Sequence, residues 1–99
     1  MYDVLEYIND FVKAVTAERY RQEQLHGEKN IDNTPDRWTT ILGEEVGEIN
    51  KAVLERDFEG MERELIEVAT VCFSIYQRMQ EAKNSVRGNS SERFFGRVK

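Results

Sequence analysis

Trp38-Thr-Thr-Ile41-Leu42-Gly43-Glu44-Glu45-Val46-Gly47-Glu48-Ile49-Asn-Lys51-Ala52-Val53-Leu54, a short polar break, then Met61-Glu-Arg-Glu64-Leu65-Ile-Glu67-Val68-Ala-Thr-Val71: this stretch decides the fold. Trp38, Ile41, Leu42, Ile49, Ala52 and Val53 recur at steps of three and four, the spacing of one helix face. After the break Met61, Leu65, Val68, Cys72, Ile75 and Met79 repeat that spacing, and Tyr76 extends it. Acids interrupt both stripes. Glu45 stands four residues after Ile41 and four before Ile49, and Glu48 stands four before Ala52. Glu64 follows Met61 by three residues, and Glu67 follows Glu64 by three. Carboxylates rarely enter an apolar face unless they are paired or hold a metal.

The break Arg56–Gly60 is short, so the two helices are expected to be antiparallel neighbours, with Asp57 as a cap for the second. An acid pair at i, i+3 spans about 4.5 Å along the axis. Packed helices lie about 8–10 Å apart. Four carboxylates then share one small volume. Without a cation they repel, and some must stay protonated. All-oxygen donors suit a hard cation, Mg²⁺ or Mn²⁺. Mg²⁺ keeps waters and meets phosphates, so the implied ligand is a phosphorylated compound.

Glu44-Glu45-x-x-Glu48, fifteen residues, then Glu64-x-x-Glu67 resembles the signature of the all-α NTP pyrophosphatases, the MazG and dimeric dUTPase superfamily. Its usual form is E-E-x-x-E, a spacer, then E-x-x-D; here Glu67 replaces the final Asp. The run Glu18-Arg19-Tyr20-Arg21-Gln22-Glu23 and Trp38-x-x-Ile41-Leu42 also resemble short MazG-like proteins. His26 precedes Gly27 where many of those have an aromatic. The likeness covers about residues 15–80. It implies a Mg²⁺-dependent nucleoside triphosphate pyrophosphohydrolase that yields a monophosphate and pyrophosphate in nucleotide-pool housecleaning. Glu45, Glu48, Glu64 and Glu67 would hold the metal, with Glu44 or one of those ligands taking the proton. First-helix polar groups, Gln22 in particular, would stand near the base.

Composition narrows the alternatives. Ninety-nine residues make one domain with a modest core, which acids inside it reduce further. Help from a partner subunit is expected, as a homodimer or homotetramer. Charged residues are 33% of the chain and Pro occurs once, which favours helices. A net charge of −5 argues against non-specific nucleic-acid binding, but not against a nucleotide, because bound Mg²⁺ reverses the local sign. One Cys excludes an intrachain disulfide framework, and Cys72 reads as a small buried hydrophobe. No run is apolar enough for a membrane span and no secretory pattern opens the chain, so a cytoplasmic protein is expected.

Residues 2 to about 25 read as an amphipathic helix with Val4, Leu5, Ile8, Phe11, Val12 and Val15 as its stripe. Its polar second half is either a solvated face or one wall of a nucleotide pocket, with Arg19, Gln22 or His26 as the lining residue. Gly27–Asn33 is a loop, and a lone His builds no histidine metal site. Thr34 is expected as N-cap with Pro35 at the first helical position and Asp36 in the first turn. Trp38 either packs in the core or borders the pocket and stacks on a base. Gly43 and Gly47 make two notches that suit another helix, from this chain or a partner. Glu44 either faces solvent or orients water, and Lys51 is a surface charge or a pocket-rim residue. From Asn84 the composition changes. The division is therefore a helical domain over 1–85 and a tail over 86–99, in which Phe94-Phe95 docks or stays free.

The expectation is an all-α antiparallel bundle of three long helices plus a short C-terminal segment, completed by oligomerisation. Two other functions remain: a divalent-ion or nucleotide-binding module without turnover, and a non-catalytic interaction protein whose acids meet basic side chains.

Overall fold

A computed structural model describes residues 2–26, 34–85 and 89–96. Helix α1 spans Val4–His26, α2 Pro35–Leu54, α3 Phe58–Asn84 and α4 Ser90–Phe95. The architecture is all-α, with three long helices as expected and no strand among the described residues. The loop expected at 27–33 and the side chain of His26 lie outside the described residues, as do Arg97 and Lys99.

Local chemistry sets the helix ends. The Thr34 hydroxyl accepts from the Arg37 N–H at 3.3 Å, and Pro35 occupies the first turn, where its missing N–H costs nothing. The Asp57 carboxylate accepts from the Gly60 N–H at 3.0 Å and starts α3. A Cβ on Gly60 would lie 2.1 Å from Asp57 Oδ2, so only glycine leaves room for this cap. Arg56 turns the chain with a φ of 56°.

α3 is the hub: α2, α1 and α4 all pack against it. Trp38, Ala52 and Val71 are the buried hydrophobics. Thr70 is fully buried and Ser74 nearly so, because α3 carries a helix on two sides and small residues let both approach. Their hydroxyls donate back to the Ile66 and Thr70 carbonyls at 2.7 and 3.1 Å, so neither donor is left unpaired.

This packing departs from the expected stripes. Leu65 and Met79 are exposed, Met61, Val68 and Ile75 are half-buried, and Cys72 is exposed rather than buried. Two flanking helices widen the inward arc of α3 and rotate it towards Thr70, Val71 and Ser74. On α1 the expected stripe is bare: Val4, Leu5, Ile8, Phe11 and Val12 are all exposed, and only Val15 is half-buried. α1 packs on α3, and its half-buried residues, Ala14, Val15, Glu18, Arg19 and Gln22, all lie in or next to its second half. The radius of gyration is 15.9 Å, against about 13 Å for a compact chain of this length. Gly43 and Gly47 face open space, so no helix among the described residues fills their notches. In the tail, α4 packs against α3, with Phe94 half-buried and Phe95 exposed.

Candidate metal centre

Glu45 on α2 and Glu64 and Glu67 on α3 converge at the seam between the two helices. Each offers a carboxylate oxygen, and these oxygens lie within 4.8 Å of one another. All three residues are half-buried. The antiparallel pair joined by Glu55–Asp57 brings them together: Glu45 lies about three turns before the break and Glu64 about two turns after it.

The electrostatics follow from that crowding. Burial, above all, pushes the Glu45 carboxyl up to about 8. Hydrogen bonding to the Glu67 and Glu64 carboxylates and their negative charge add to the rise. A protonated Glu45 is how the cluster lowers its own repulsion at neutral pH. Counted as ionised carboxylates, Glu45 Oε2 and Glu64 Oε2 are buried without a donor among the described residues, a need that the proton on Glu45 meets only in part. Orphaned carboxylate oxygens are costly. A hard cation would satisfy them, and an all-oxygen donor set fits Mg²⁺ or Mn²⁺.

α1 adds a cationic neighbour. Arg21 Nε donates to Glu18 Oε2 at 2.8 Å, and Arg21 forms a second, shorter contact with Oε1. The Arg21 hydrogen bond holds the Glu18 carboxyl below its ordinary value, and Gln22 contributes in the same direction. That same bond raises Arg21, which also feels the charge of Glu67. The Arg21 guanidinium is therefore within electrostatic reach of Glu67. The sequence signal for it was the i, i+3 spacing of an acid and an arginine on the side of α1 that carries Gln22.

The other expected site residues distribute unevenly. Glu48 is exposed and does not join the triad. It stands one turn before buried Ala52, so its exposure reflects the lack of a covering element: α1 packs on α3, not over α2. Glu44 and Lys51 are exposed. Trp38 is 4% exposed, which settles core packing over a free stacking face. Gln22 is half-buried beside Glu18. Arg19 lines a cleft with Phe73 and Gln77 to which none of the three acids contributes.

Comparison of the chain with family models, with curated proteins and with solved structures finds no match. Among the described residues, no helix is long and apolar enough to cross a membrane.

Proposed function

We propose that the protein is a Mg²⁺-dependent hydrolase of nucleoside triphosphates, releasing pyrophosphate. The observation that carries this reading is the convergence of Glu45, Glu64 and Glu67, with two buried oxygens lacking partners. The cleavage position and the nucleotide class rest on the resemblance of Glu44-Glu45-x-x-Glu48 and Glu64-x-x-Glu67 to the MazG-like signature. In this reading Glu45, Glu64 and Glu67 hold the cation, and Glu45 gives up its proton when they do. When bound, the cation neutralises phosphate charge and acidifies a water. Exposed Glu44 is the candidate proton acceptor. Arg21, within electrostatic reach of Glu67, is the candidate positive charge for a substrate phosphate.

The bare apolar half of α1 and the open faces of Gly43 and Gly47 support assembly as a homo-oligomer. A second chain over α2 would also cover Glu48 and bring it to the cation. The exposed Cys72 thiol fits a reducing, cytoplasmic setting. The exposure of Glu48 favours one rival, a cation- or nucleotide-binding module without turnover.

The test is pyrophosphate release from a panel of canonical and modified NTPs and dNTPs, with Mg²⁺, Mn²⁺ or EDTA, beside Glu64→Gln. Metal-dependent release that disappears in the variant is expected. Full activity in Glu64→Gln sinks the assignment. A rise in Tm with Mg²⁺ but no release from any nucleotide favours the binding module.

A further inference from the structure

A second polar site lies on the other flank of α1. Successive helical residues point about 100° apart. Glu18 and Arg21 therefore take one side of the α1–α3 contact, and Arg19, Tyr20 and Glu23 take the other. On that other side Arg19 enters a cleft of about 240 Å³ walled by Val15, Thr16, Tyr20, Glu23, Phe73 and Gln77. None of the three clustered acids lines it.

The Arg19 side chain is only 17% exposed. Its Nε and Nη1 atoms are buried without a hydrogen-bond partner among the described residues. Glu23 approaches Nη1 at 3.9 Å, an ion pair too long to be a hydrogen bond, and is itself largely exposed. A buried guanidinium with unmet donors is expensive, because each lost its water without gaining an acceptor. Nε and Nη1 lie on different forks of the guanidinium, each shared with Nη2, so a carboxylate or phosphate in the cleft would meet Nη2 and one of the two once the side chain turns outward. Around it stand the partly exposed rings of Tyr20 and Phe73. A cavity of about 150 Å³ accommodates a benzene ring, so this cleft has room for a ring and an oxyanion group.

The geometry points to a binding site for a small organic oxyanion, whose carboxylate or phosphate meets Arg19 and whose apolar body lies against Phe73 and Tyr20. Gln77 offers an amide N–H to a second oxygen. The site is separate from the acid cluster and does not depend on the reaction proposed there. Glu23 competes for the same guanidinium, so binding displaces a weak contact rather than filling a vacant charge.

The experiment titrates the full chain in EDTA with benzoate, phenyl phosphate and inorganic phosphate, following the Arg19 Nε–H and Phe73 ring resonances by NMR. At least one organic anion is expected to saturate these shifts and to bind at least tenfold more tightly than inorganic phosphate. Arg19→Met, which keeps an unbranched apolar side chain, should abolish binding with helicity and Trp38 emission unchanged. Glu23→Gln should tighten binding severalfold. Preference for phenyl phosphate or for benzoate tells which oxyanion is meant. No saturable shift, equal affinity for inorganic phosphate, persistence in Arg19→Met, or failure of Glu23→Gln to tighten binding overturns the proposal. If Arg19→Met does not fold, the Glu23→Gln comparison and the preference for organic anions still decide it.

Discussion

The seam between α2 and α3 and the first half of α1 carry equally regular apolar patterns, yet among the described residues only one is covered. At the seam Trp38, Ala52 and Val71 are buried, and the acids between them are crowded into one volume. On α1, Val4, Leu5, Ile8, Phe11 and Val12 recur at helical spacing and all face outward. Periodicity therefore states that a face needs cover; it does not name what supplies it. Where a short turn forces two helices together, the cover is intramolecular. Where the next helix lies beyond a longer connection, the face is left for something else.

Mutation can break this comparison. Trp38→Ala should have the largest effect, about 3–5 kcal/mol lost from the α2–α3 seam, read by denaturant unfolding. A loss below about 1 kcal/mol would mean that the seam is not the core. At the opposite pole, Phe11→Glu should keep helicity and shift the sedimenting mass to that of one chain. A wild type already at that mass would leave α1 bare and separate the two regions further.

Gly60 and Gly43 sharpen the contrast. A Cβ at Gly60 would strike the Asp57 carboxylate, so Gly60→Ala should lose the cap and cost about 0.5–2 kcal/mol. At Gly43 a Cβ meets nothing within 4 Å, so Gly43→Ala should stabilise the single chain by up to about 1 kcal/mol. Destabilisation there would reveal a partner helix against that face.

Glu45 gives a pH test. Its carboxyl is raised from an ordinary 4.5 to about 8 by burial and by its acidic neighbours. Between those values the folded chain binds more protons than the unfolded one, so stability falls as pH rises. Metal-free protein should therefore melt higher at pH 5.5 than at pH 8. Mg²⁺ should restore Tm at pH 8, and Glu45→Gln should remove both the slope and the response to Mg²⁺. A metal-free Tm that rises over this window would contradict the clustering of the acids.

The sequence made the local devices legible. Thr34-Pro35 and Asp57 are short-range chemistry, and each does what its neighbours dictate. The meeting of Glu45 with Glu64 and Glu67 was legible too, because the tight turn leaves the two helices little freedom. The inward face of α3 was not. Its deepest burial falls on Thr70, Val71 and Ser74, two of them polar positions that no apolar pattern marks, while Leu65, Cys72 and Met79 are exposed. Periodicity alone does not choose between Arg19 and Gln22. Gln22 lies next to Glu18 by helical spacing alone, whereas only the packing of α1 on α3 brings Arg19 to Phe73.

Trp38 has one more consequence. It is the sole indole of the chain, it is almost wholly enclosed, and its Nε1–H has no acceptor among the described residues. It lies two helical turns, about 10.5 Å of rise, from Glu45. An indole in so dry a setting emits towards the blue, and opening of the seam would send that light to longer wavelengths. The protein thus carries its own lamp at the place where its helices meet, and any ion that tightens or loosens them can be followed without a dye.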